Sequence, residues 1–125
     1  MDVNEIKEVI QAYFDTGYEA DCEGMAKVFH DGSHLYFRGE DGGLVDWDKD
    51  FFINEIIAKN PPGSGDPGYP RYDEILSIDF TGENTAVARV KVRVKDILYT
   101  DILCFLRLHD KWAIMSKVFT GEPAE

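Results

Sequence analysis

Ala86-Val87-Ala88-Arg89-Val90-Lys91-Val92-Arg93-Val94-Lys95 carries Ala or Val at every even position and Arg or Lys at 89, 91, 93 and 95. Successive strand side chains point to opposite faces, so this stretch is a strand with one apolar and one basic face. Around it, turn signals at Thr81-Gly82-Glu83-Asn84, Lys95-Asp96 and His109-Asp110-Lys111 cut the chain from Arg71 onward into four long strands. Leu98 to Leu108 and Trp112 to Phe119 are largely apolar on both faces, as in strands covered on each side.

Upstream the period changes. Val3, Ile6, Val9, Ile10, Tyr13 and Phe14 recur at helical spacing, with Asp2 as N-cap, Glu5 three residues on and Gly17 as a stop, which predicts a helix of about four turns. Asp21 caps a second, shorter helix in which Cys22, Met25, Val28 and Phe29 share a face, with Gly32 beyond its end. His34 to Arg38 and Leu44 to Trp47 read as a hairpin around a glycine-rich turn. Asp46 or Asp48 opens a third helix, with Phe52, Ile53, Ile56 and Ile57 on one side and Asn60 as its end. Four of the five prolines then fall between Pro61 and Pro70, a loop that could gate a cavity through hinges at Gly63, Gly65 and Gly68.

Helices first and strands later predict an α+β fold, three N-terminal helices packed on a curved antiparallel sheet. At 125 residues this is one domain, residues 1 to 125. Too few helices remain to cover both sheet faces, so a homodimer through the outer sheet face is expected. With 24 acidic and 13 basic residues the net charge is −11, against a nucleic-acid partner. Cys22 and Cys104 lack the spacing for zinc or redox work and read as reduced thiols. No apolar run approaches the roughly 20 residues of a membrane span and no signal-peptide pattern opens the chain, so no membrane association and a cytoplasmic location are expected.

Asp101 and Lys117 lie on the last two long strands. A turn centred on Asp110 places Asp101 near Phe119 and Leu103 near Lys117, making the two charges diagonal neighbours on a face shared with Tyr99, Leu103, Phe105, Met115 and Phe119. Charges in apolar surroundings pair structurally or mark a functional site, with Asp101 as base and Lys117 as oxyanion stabiliser. Both readings stay open. His30, after the apolar run of the second helix, is a candidate acid or base or a surface histidine. Tyr13, on the helix facing the sheet, needs a partner for its hydroxyl, which Asp101 or His30 can supply. Tyr36, Trp47, Phe52, Tyr99 and Phe119 either line a site for a small apolar or aromatic ligand or belong to the core. His30, His34 and Asp31 do not make a recognisable ligand set, and no metal is expected. Whether Lys91 or Val92 shares a face with Asp101 depends on a register across Lys95-Asp96 that is ambiguous by one residue.

Tyr13 to Gly17, Phe29-His30-Asp31, Tyr99-Thr100-Asp101 and the closing Trp112, Ile114, Lys117 and Phe119, in this order, resemble the nuclear transport factor 2-like superfamily. Within it the chain is most similar to the SnoaL-like and "putative lumazine-binding" proteins. The resemblance implies a cone-shaped α+β barrel with a pocket between helices and concave sheet, dimerised through the sheet, and it places a histidine in the Phe29-His30-Asp31 segment. Relatives include isomerases, dehydratases and cyclases alongside binding and transport proteins, so fold alone does not choose an activity. The reading is a small-molecule-binding protein with a buried, mostly apolar pocket, with a cofactor-independent isomerase, dehydratase or cyclase and a protein-interaction module as alternatives. No cofactor is expected, since no phosphate-cradling glycine loop is present.

Overall fold

Asp2 accepts the Asn4 N–H at 2.8 Å and so starts α1 (Val3–Glu19), whose buried stripe is Ile6, Ile10, Tyr13 and Phe14. The computed structural model describes residues 2 to 62 and 69 to 124. Gly17 does not stop the helix: it lies inside it, and a Cβ there would sit 3.3 Å from Met25 Cε. The end falls at Ala20, in the left-handed region at φ 54°. Glu5 accepts from Trp112 Nε1 at 3.1 Å, tying the first turn of α1 to the last strand instead of closing a capping box.

Asp21 caps α2 (Cys22–Val28), which ends one residue earlier than expected, because Phe29 already has extended backbone and opens β1 (Phe29–Arg38). β2 (Leu44–Asp48) returns antiparallel to β1, the hairpin read from the sequence. Asp48 caps α3 (Lys49–Phe51), and the helix continues through Phe52–Ile57 as a π-helix, confirmed at its end by Ala58 N–H donating to Ile53 O. Buried Phe52 and Ile57 are five residues apart, so the wider turn brings both onto the core side.

β3 (Asp73–Phe80), β4 (Thr85–Val94), β5 (Ile97–Leu108) and β6 (Lys111–Pro123) are the four long strands. The six strands form one open sheet in the order β2-β1-β6-β5-β4-β3. Every pairing is antiparallel except β1 with β6, which is parallel and carries a register shift between Phe29 and His34. That pairing brings the early hairpin beside the last strand, and the sheet is therefore mixed and not wholly antiparallel. The register ambiguity resolves as Val90 opposite Asp101 and Val92 opposite Tyr99, so the apolar face of β4 is the inner one. The core lies between that concave face and the helices. Among the described residues no helix is long and apolar enough to cross a membrane. The expectation of a gating loop rests on Gly63, Gly65 and Gly68, which lie outside the described residues.

Candidate functional site

Asp101 stands opposite Phe119, and Leu103 opposite Lys117, so the acid and the amine are diagonal neighbours on the inner face. Leu103, between them in register, is wholly buried. The two charges do not meet directly: Lys117 Nζ is 3.9 Å from Asp101 Oδ2. Tyr13, delivered from α1, completes the connection. Its Oη donates to Asp101 Oδ2 at 2.6 Å and accepts from Lys117 Nζ at 2.7 Å. Asp101 is 0%, Tyr13 4% and Lys117 8% exposed. A buried ammonium and carboxylate linked through a phenol keep each other from standing as isolated buried charges, the costly alternative. Two rings add to this, since Lys117 Nζ lies 4.6 Å from the Phe119 centroid and 5.2 Å from that of Phe52.

The same burial sets the proton affinities. Desolvation, with the Asp101 charge behind it, holds the Tyr13 phenol well above its ordinary value. Desolvation pushes the Lys117 amine down, while Asp101 pulls in the other direction. Tyr13 has one O–H, which it donates in the hydrogen bond to Asp101, so it is not a donor toward a ligand. Lys117 has three N–H donors, of which the Tyr13 oxygen takes one.

Lys117 forms part of the wall of a cavity of about 140 Å³ between helices and sheet. Phe14, Met25, Trp47, Phe52, Ile56, Val92, Tyr99 and Phe119 make the wall mostly apolar, and Tyr18, Asn60, Arg71, Tyr72 and Arg93 line its more exposed end. Trp47, Phe119 and Tyr99 form a continuous aromatic wall, with Phe119 5.9 Å from Trp47 and 5.8 Å from Tyr99 between centroids. Arg71 is held in place by Asp15 at 2.6 Å and Asp73 at 2.9 Å, with its guanidinium over the Tyr18 ring.

Of the residues singled out in the sequence, Tyr13, Trp47, Phe52, Tyr99, Lys117 and Phe119 meet around this cavity, with Asp101 directly behind Tyr13. Two do not. Phe29 is buried facing inward, so His30, the next residue of an extended strand, is exposed, and its Nδ1 accepts from the Gly32 N–H at 2.9 Å. It supplies nothing to Tyr13. Leu35 takes the inward position on β1, and Tyr36 therefore lies on the outer face, stacked on His34. Arg71, Tyr18, Asn60 and Arg93 were not anticipated; only the fold brings Arg71 to Asp15, 56 positions away in sequence. Among the described residues no cluster of His, Cys, Asp and Glu is arranged to hold a metal ion.

Comparison with known proteins gives a family and a fold. The family described as "putative lumazine-binding" matches residues 1–120. A structure described as an NTF2-like protein of unknown function from Shewanella baltica OS155 superposes with a TM-score of 0.86 at 22% identity, covering 98% of this chain and 94% of that one. A second NTF2-like protein of unknown function, from Methylobacillus flagellatus KT, gives 0.81 at 24% identity over 97% and 92%. A ketosteroid isomerase-like protein from Erwinia carotovora atroseptica SCRI1043 gives 0.67 at 16% identity over 93% and 92%. No curated protein matches the chain. At these identities the likeness carries the fold: three helices on a six-stranded, mostly antiparallel open sheet, a cone-shaped α+β architecture.

Proposed function

Since the chain belongs to the putative lumazine-binding family, we propose that it is a small-molecule-binding protein whose cavity takes a small apolar or aromatic ligand. The observation that carries this is a mostly apolar cavity of about 140 Å³ with one buried amine, Lys117, in its wall. Binding sites of this kind combine apolar walls with few polar groups that orient the ligand. The volume suits one aromatic ring: an apolar cavity of roughly 150 Å³ binds benzene. Tyr99, Trp47, Phe52 and Phe119 supply the contact surface, and Asp101 and Tyr13 hold Lys117 in place. A thermal-shift series with single-ring aromatics tests the reading. A ligand at 100 times its Kd stabilises the folded protein by about 2.7 kcal/mol, and a flat response to every single-ring compound would overturn it.

A second reading, a cofactor-independent isomerase, dehydratase or cyclase, is favoured by one observation: the cavity-lining amine is hydrogen-bonded through Tyr13 to a buried carboxylate. Such a relay could move a proton at a bound carbon acid. Uptake of deuterium from heavy water into a bound ketone, abolished in Lys117→Met, is its signature. His30 has no part in either reading.

The proposal extends to assembly. On the outer sheet face Arg89, Ile102, Val118, Tyr36 and Asp46 stand in one row across β4, β5, β6, β1 and β2. Ile102 and Val118, apolar and 40% and 45% exposed, sit between a basic and an acidic end. A two-fold axis through that centre would bring Arg89 of one copy toward Asp46 of the other, which supports a homodimer through this face and not an interaction module for a different protein. Two free thiols support a cytoplasmic location.

A further inference from the structure

The charge balance inside the cavity points to the class of ligand, and the argument rests on the reading of that cavity as a ligand site. Lys117 already has its counter-charge in Asp101, relayed by Tyr13. Arg71, toward the exposed end, already has two, Asp15 and Asp73. Arg93 lies at that same end with its guanidinium over the Tyr69 ring, where water screens it. A ligand carboxylate at Lys117 would therefore place two carboxylates around one ammonium in an apolar enclosure, leaving one negative charge uncompensated. A wholly apolar ligand has the opposite fault, since it would offer nothing to the amine's remaining donors. An uncharged oxygen acceptor satisfies both conditions.

We infer that the cavity selects uncharged single-ring aromatic carbonyl compounds, with the carbonyl oxygen accepting a hydrogen bond from Lys117 Nζ and the ring between Trp47, Phe52, Tyr99 and Phe119. The same ring positions that hold the ammonium in place also direct the ring of the ligand, so orientation follows from two contacts. A carbonyl polarised by a fixed ammonium is also the ground state that proton transfer at the adjacent carbon would need.

Calorimetric titration of the intact chain with toluene, acetophenone and benzoate tests this. Acetophenone is expected to bind about tenfold tighter than toluene, the scale of one charge-assisted hydrogen bond, and benzoate at least about tenfold weaker than acetophenone. In Lys117→Met the ratio of acetophenone to toluene affinity falls to near one. Should that variant fail to fold, the carbonyl stretch of acetophenone bound to the unaltered protein gives the same answer, red-shifted from its position in hydrocarbon solvent. Acetophenone no tighter than toluene, an unshifted carbonyl stretch, or benzoate binding tightest would each overturn the inference while leaving the cavity as a ligand site. Failure of toluene, acetophenone and benzoate alike would overturn the cavity reading itself.

Discussion

Tyr13 has Asp101 on one side and Lys117 on the other, and its substitution tests the arrangement most directly. Tyr13→Phe removes the hydrogen bond to Asp101 Oδ2, and the other carboxylate oxygen, Oδ1, has no hydrogen-bond partner among the described residues. A buried acceptor left unmade costs about 1–3 kcal/mol, and denaturant unfolding should show a loss on that scale. Lys117→Met should cost more, about 3–5 kcal/mol, because it leaves Asp101 buried without a counter-charge. The double variant should be less destabilised than the sum of the two, since both substitutions break one network. The sign of the pH effect follows from the raised Tyr13 value. Between the ordinary phenol value of 10.0 and the folded one, the unfolded chain has lost this proton and the folded chain keeps it. The contribution of Tyr13 is thus fully present below pH 10 and is lost as pH rises through the folded value. The stability advantage of the unaltered protein over Tyr13→Phe should shrink above pH 10, and the phenolate absorbance that the variant lacks should appear only there. Lys117 has the opposite sign: its lowered value makes its contribution fall as pH drops through the folded value.

At the level of elements, the cavity depends on how the ends of β5 and β6 approach. Tyr99 stands opposite Gly121, and a Cβ at 121 would lie 2.9 Å from Tyr99 Cε1 and 2.8 Å from Ile97 Cγ2. The bare backbone at 121 lets the Tyr99 ring lie across β6, edge-on to Phe119. Gly121→Ala should displace that ring, destabilise by about 1–3 kcal/mol and weaken toluene binding, with affinity measured by calorimetry. Unchanged affinity would mean that the ring yields without disturbing the cavity. The π-helical Phe52–Ile57 has a related part: its wide turn turns Phe52 toward Lys117 while Ile57 stays in the core.

At the scale of the whole molecule, the acidic surface and the basic outer row of β4 make assembly the property to test. Ile102 and Val118 are direct neighbours across β5 and β6 and both are apolar. If they are the centre of a homodimer interface of at least roughly 1,000 Å², Ile102→Asp with Val118→Asp should convert the sedimentation profile from dimer to monomer. A monomer at micromolar concentration before any substitution would remove the dimer. The toluene affinity of the double variant should stay the same, because the cavity lies on the other face of the sheet.

Sequence alone determined what depends on a repeat of a few residues. The alternation in Ala86 to Lys95 separated the two faces of β4. The order of helices and strands carried the α+β class for the same reason, period against composition. The turn at Asp110 by itself did not set Asp101 and Lys117 on one face: Leu108 stands opposite Lys111, and only a bulge at Met115, between the pairs Phe105–Ile114 and Cys104–Ser116, shifts the register by one residue and brings Asp101 opposite Phe119, with Ile114 and not Met115 buried on the inner face. Tertiary structure alone decided the rest. Tyr13 is 88 positions from Asp101 and 104 from Lys117, and only the packing of α1 over β5 and β6 inserts its hydroxyl between them. The parallel pairing of β1 with β6 left no local mark, since parallel neighbours are joined through the chain between them and not by a turn. His30 and Tyr36 were misplaced because β1 starts at Phe29. Inward burial of Phe29 and Leu35, a tertiary choice, turned both neighbours outward.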